Sequence, residues 1–190
     1  WNDGKRLEIT EKTLIMGILN VTPDSFSDGG KWNTAEGAKS HIRDMIDAGA
    51  DIIDVGAEST RPGSRPLTAE EEMERLKTFL PMVLEESSVP VSVDTYHWKT
   101  ADDALHAGAH MMNDIWGLQY DHGEMAGVAA HYQVPVIVMH NKTDTKYIGD
   151  IIEEMKTFFD RSLNIALQAG MKEENIILDP GIGFGKDGNQ

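Results

Sequence analysis

The chain has 190 residues, 40% hydrophobic and 26% charged, proportions that suit one folded domain with a sizeable core. A net charge of -15 excludes a general nucleic-acid or anionic-membrane surface, and no run of 18 or more apolar residues is present to span a bilayer. There is no cysteine, which excludes disulfides, thiolate zinc sites and a cysteine nucleophile.

The N-terminal WNDGKRLEIT carries no signal-peptide pattern, and with the lack of cysteine this predicts a cytoplasmic protein. Leu14 to Leu19 is the first predicted strand, apolar throughout. A helix follows over Ala35 to Ala48, with Ala38, Ile42, Met45 and Ile46 at helical spacing and Gly49 as its C-cap. Asp51 to Gly56 is the second strand. Thr68-Ala-Glu-Glu reads as a capping box that opens a helix through Met73, Leu76, Phe79 and Leu80. Val91 to Asp94 is the third strand, Met111 to Asn113 a fourth, Val134 to Met139 a fifth and Asn175 to Asp179 a sixth. Helices are predicted between them at Thr100 to Ala107, Gly123 to His131 and Ile151 to Ala169, the last stopped by Gly170.

This alternation predicts an α/β fold with a parallel sheet covered by helices, its strands too apolar to leave a face in water. An open doubly wound sheet and a barrel both fit. A (β/α)8 barrel typically takes about 250 residues, so a barrel here would be truncated after six βα units, with its C-terminal strands missing. The lack of an initiator Met and the stop within GIGFGKDGNQ agree with that expectation. One domain over residues 1–190 is expected, with no internal repeat or linker.

The strands end in polar residues: Asn20, Asp94, Asn113 and Asp179. Parallel α/β folds build their sites at the carboxyl ends of strands, so these four are expected to converge, each buried behind its apolar run. Two carboxylates and two amides suit a flat heterocycle with amino, amide and ring N–H groups, and suit a sugar or nucleobase almost as well. Two polar loops, Thr22 to Gly30 and Glu58 to Arg65, carry the Gly, Ser and Arg that can wrap an anion. Gly181 to Lys186 is not a phosphate-binding P-loop, because Pro180 and Asp187 break the pattern at both ends; a tight turn is predicted instead. His106 and His110 stand four apart, but Gly108 interrupts them, and both read as structural.

IMGILNVTPDSFSDGG, GADIIDVGAESTRPGS, VPVSVDT, MMNDIWGL and ILDPGIGFGK together resemble the dihydropteroate synthase family, in order and over essentially the whole chain. The resemblance implies a (β/α)8 TIM-barrel fold, usually a homodimer. It implies a transferase that condenses 6-hydroxymethyl-7,8-dihydropterin diphosphate with p-aminobenzoate, releasing pyrophosphate, in folate synthesis, and that sulfonamides inhibit. It further implies Mg²⁺ held by Asn20, pterin contacts and catalysis at Asp94, Asn113 and Asp179, and Met139 in the pterin pocket. Thr60 with Ser59 would contact the diphosphate. Arg61, Pro62, Phe26, Ser27 and Phe184 would line the p-aminobenzoate side, and Asp28 would belong to the first closing loop. Ala57 stands where the family usually has a second glycine, and His140-Asn-Lys-Thr-Asp departs from the commoner glycine-containing segment. The family's later Lys and Arg-x-His lie beyond this chain, so the chain by itself is expected to be short of diphosphate contacts. A corrinoid-dependent pterin methyltransferase, a non-catalytic pterin-binding module and a phosphosugar barrel enzyme are the competing readings; the first should lack the STRPG loop.

Overall fold

The computed structural model describes residues 1, 3–21, 35–58 and 66–188. They form two compact units, one of Trp1–Asp94 with Lys99–Met111, the other of Thr95–Trp98 with Met112–Gln190.

The first unit contains β1 (Met16–Asn20), α1 (Ala35–Asp47), β2 (Ile52–Gly56), α2 (Ala69–Glu86) and β3 (Val91–Asp94), with most of α3 (Trp98–His106). Its strands pair in parallel in chain order, with Met16 opposite Ile52 and Ile53 opposite Val91. One face of these strands packs on helices. Ile53, Val55, Val91 and Val93 are fully buried there, as are Ile42 of α1 and Val83 of α2, each side chain contributing about 2 kcal/mol. Gly17 belongs to this face, since a Cβ on it would lie 2.9 Å from Met45 Sδ of α1. The α2 start is the predicted capping box: Thr68 Oγ1 accepts from the Glu71 amide and the Glu71 carboxylate accepts from the Thr68 amide. Gly49 ends α1 with φ +104°, its amide donating to Ile46. Buried His110 is structural: Nδ1 accepts from the Val91 amide at 3.0 Å and Nε2 lies 2.8 Å from Asp3.

The second unit contains most of β4 (Met111–Asp114), then α4 (Glu124–Tyr132), β5 (Val136–Met139), α5 (Ile151–Gln168) and β6 (Ile176–Asp179). These strands are again parallel and in chain order, with Asn113 opposite Ile137 and Met139 opposite Asp179. Gly170 stops α5 with φ +92°.

Two expectations need correction. Neither β1 nor β6 is closed off from water: Ile18 is 60% exposed and Leu178 46%. Among the described residues each pairs with one strand only, β1 with β2 and β6 with β5, so one flank of each lacks a neighbour. Strand β4 also runs one residue further than predicted, to Asp114.

Candidate active site

In a parallel sheet, side chains in one register row share a face, and rows two residues apart share it too. In the first unit, Asn20, Gly56 and Asp94 form one such row, the last residues of their strands. The row two residues earlier is Ile18, Asp54 and Ser92. Both lie on the face opposite the α1 contact of Gly17. A Cβ on Gly56 would sit 3.3 Å from Asp94 Oδ2 and 3.4 Å from Asn20 Oδ1. The amide and carboxylate oxygens therefore flank one glycine at the carboxyl edge. Asp94 is half-buried. Asn20 is exposed, contrary to the expectation of burial, because β1 has a single strand neighbour among the described residues. The sequence reading gave no role to Gly56, although a glycine between strands ending in Asn and Asp signals a shared opening. It also passed over Asp54, 2% exposed in the middle of β2.

In the second unit, Asn113, Ile137 and Ile177 make one row, and Met139 and Asp179 lie two residues further on the same face. Asn113 and Asp179 thus share a face at successive levels. Asp179 is half-buried and its Oδ1 accepts the Gly181 amide at 2.7 Å, which holds the carboxylate against the turn that follows. Met139, 4% exposed, packs with Tyr96 and Ile115, and Trp116 and Phe184 lie against them. This is an apolar wall beside two polar strand ends, the lining expected of a site for a flat heterocycle.

Asp114, missed by sequence reasoning, shapes that wall. Its Oδ1 accepts from Trp116 N and its Oδ2 from Leu118 N, both at 2.8 Å. The second bond holds Leu118 at φ +63°, a conformation L residues seldom adopt. Burial pushes the Asp114 carboxyl up to about 6 against the pull of those amides.

Gly181 to Lys186 is a tight turn, as predicted. Gly181, Gly183 and Gly185 have φ of +65°, +91° and +58°. Gly181 is further required by space, since a Cβ would lie 2.1 Å from the His140 carbonyl oxygen. Ala57 is accommodated: its methyl is fully buried and its carbonyl accepts from Arg75 at 3.0 Å.

The expectations at Phe26, Ser27, Asp28, Ser59, Thr60, Arg61 and Pro62 lie outside the described residues. No helix among the described residues is long and apolar enough to cross a membrane.

Comparison with known proteins gives a consistent result. The pterin binding enzyme family matches residues 16–190. A curated dihydropteroate synthase of Clostridium beijerinckii is 53% identical over 182 residues, 96% of this chain and 67% of that protein. The Bacillus subtilis synthase is 51% identical over 180 residues, 95% of this chain and 62% of that protein. The chain therefore spans about two thirds of the length of these relatives. Among solved structures, dihydropteroate synthase from Clostridium difficile in the presence of pteroic acid has TM-score 0.91 at 48% identity, over 97% of this chain and 70% of that one. The Xanthomonas albilineans enzyme with 4-aminobenzoic acid has TM-score 0.84 at 38% identity, over 93% and 64%. The fold is accordingly of the α/β, TIM-barrel type of those structures. Matched along nearly its whole length by curated synthases at more than half identity, the chain belongs to the dihydropteroate synthase family.

Proposed function

We propose that this chain carries the pterin-binding part of a dihydropteroate synthase, which condenses 6-hydroxymethyl-7,8-dihydropterin diphosphate with p-aminobenzoate to give dihydropteroate and pyrophosphate. The observation that carries the reading is the row Asn20, Gly56 and Asp94, which sets an amide and a carboxylate oxygen over a side-chain-free position at the strand ends.

In this reading Asp94, Asn113 and Asp179 bind the pterin ring through its N–H and amino groups, and Met139 covers a ring face. Departure of pyrophosphate leaves positive charge on the pterin methylene, which the fixed carboxylates of Asp94 and Asp179 stabilise. The aniline nitrogen of p-aminobenzoate attacks that carbon and loses a proton. No protein nucleophile is required, in keeping with the absence of cysteine. Phe184, with Phe26, Ser27, Arg61 and Pro62, lines the p-aminobenzoate side; Thr60 and Ser59 meet the diphosphate, and Asp28 closes the loop.

The donor set fits Mg²⁺, which takes oxygen ligands: the Asn20 amide oxygen faces the same opening as an Asp94 carboxylate oxygen. Asn20 would hold the ion. When bound, Mg²⁺ supplies charge neutralisation for the departing pyrophosphate.

The structures determined in the presence of pteroic acid and with 4-aminobenzoic acid support these substrates, and the Yersinia pestis synthase with a sulfonamide drug supports that class as inhibitors. We also propose a cytoplasmic homodimer. The test is incubation with the pterin diphosphate, Mg²⁺ and p-aminobenzoate. Equal yields of dihydropteroate and pyrophosphate, abolished by Asp94→Asn, are expected. Absence of both products together with absence of pterin binding would sink the reading.

A further inference from the structure

The run Gly181 to Lys186 was set aside as a phosphate loop, which leaves its lysine without a role. The structure turns that side chain back into the protein. Lys186 Nζ lies 2.8 Å from His140 Nδ1, 3.0 Å from the Phe184 carbonyl oxygen, 3.1 Å from the Gly181 carbonyl oxygen and 3.4 Å from the His140 carbonyl oxygen. An ammonium can only donate, so His140 Nδ1 accepts and the imidazole proton sits on Nε2. Burial lowers the Lys186 pKa, with the Asp179 carboxylate pulling it back up. Burial and then the Lys186 charge lower that of His140, which keeps the ring neutral and able to accept.

Other contacts bind the turn to the segment after β5. Tyr147 donates its hydroxyl to the Gly185 carbonyl at 2.8 Å. A Cβ on Gly185 would lie 2.6 Å from the Lys142 carbonyl oxygen, so turn and segment are in backbone contact. The Phe184 amide donates to the Gly181 carbonyl at 3.0 Å, and the Phe184 ring lies against the cluster of Tyr96, Ile115 and Met139.

We propose that Lys186 is a positioning residue for the aromatic-amine half of the reaction: it locks the Gly181–Lys186 turn onto His140 and thereby fixes the Phe184 ring beside Met139. This rests on the synthase reading, in which Phe184 faces p-aminobenzoate. The contacts of Lys186 Nζ are with His140, Gly181 and Phe184, so its effect on the substrate runs through the turn. A lysine here does more than close a turn, because its single charge gathers carbonyls from both ends of the loop and from the neighbouring strand end.

The test is steady-state kinetics of the wild-type chain and Lys186→Met, with KM for each substrate measured separately and thermal unfolding as a folding control. The expected result is a rise of about tenfold in KM for p-aminobenzoate, with KM for the pterin diphosphate changed less than about twofold. A purely structural loss would lower the active fraction, and hence kcat, and leave that split absent. If Lys186→Met fails to fold, Lys186→Gln, which keeps an amide donor, is judged by the same split. Equal KM changes for the two substrates, or none, would overturn the proposal while leaving the synthase reading intact. A wild-type chain that forms no dihydropteroate and binds no pterin would overturn that reading, and this proposal with it.

Discussion

Asn20 and Asp94 end two strands separated by β2, yet an oxygen of each faces the same glycine. A Cβ on Gly56 would stand 3.4 Å from Asn20 Oδ1 and 3.3 Å from Asp94 Oδ2. The opening between the two side chains is the missing side chain of Gly56.

Gly56→Ala should therefore damage binding more than folding. The methyl meets two side-chain oxygens that can give way by a few tenths of an ångström. Global stability should change by less than about 1.5 kcal/mol. Pterin affinity should fall by about tenfold, because the Asp94 carboxylate is displaced from the position proposed to hold the ring, while Asn20, the proposed Mg²⁺ ligand, does not enter this measurement. Calorimetric titration with 6-hydroxymethylpterin, beside urea unfolding, checks both halves.

Gly181 and Gly183 form a matched pair. Both have positive φ, +65° and +91°, but a Cβ at Gly181 would strike the His140 carbonyl oxygen while nothing lies within 4 Å of one at Gly183. Gly183→Ala should cost about 1 kcal/mol, from backbone strain alone. Gly181→Ala should cost about 3 kcal/mol or more, since backbone must move, and should also free the Asp179 carboxylate held by the Gly181 amide. Urea unfolding of both variants makes the comparison, and equal costs would contradict it.

Asp114 predicts a pH dependence. Burial raises its folded pKa to about 6 from 3.8. The folded state then holds the proton more tightly than the unfolded chain. This contribution to stability is full below about pH 4 and is lost as pH rises to about 6, an amount on the order of 3 kcal/mol. Asp114→Asn removes that dependence and turns an amide N–H₂ toward a backbone N–H, at a pH-independent cost of about 1–3 kcal/mol. Stability measured for both proteins at pH 4, 5, 6 and 7 should show the wild-type value declining relative to the variant across pH 4 to 6. Parallel curves would contradict the assignment.

Much of this was legible in the sequence because parallel strands advertise themselves. Apolar runs too short for helices, each followed by an amphipathic segment, gave the six strands and five α-helices of the described residues to within a few residues. The polar residues ending those runs marked Asn20, Asp94, Asn113 and Asp179, although β4 runs on to Asp114. Register was not legible. That Asn20, Gly56 and Asp94 fall in one row depends on hydrogen bonding between strands tens of residues apart, which no local period encodes. The same limit hid Lys186, whose partner His140 precedes it by 46 residues and meets it only because β5 and β6 are neighbours. Asp114 was hidden differently: its carboxylate serves the backbone of its own loop, and one more polar residue after Asn113 carries no sign of that.

The account stands or falls on the proposed pterin recognition by the strand-end carboxylates Asp94 and Asp179. The most direct measurement is the dissociation constant for 6-hydroxymethylpterin of the wild-type chain, Asp94→Asn and Asp179→Asn. The account predicts binding by the wild type and a loss of about 10- to 100-fold in each folded variant, as expected when a charged acceptor is replaced by an amide. Wild-type affinity in both variants would contradict it.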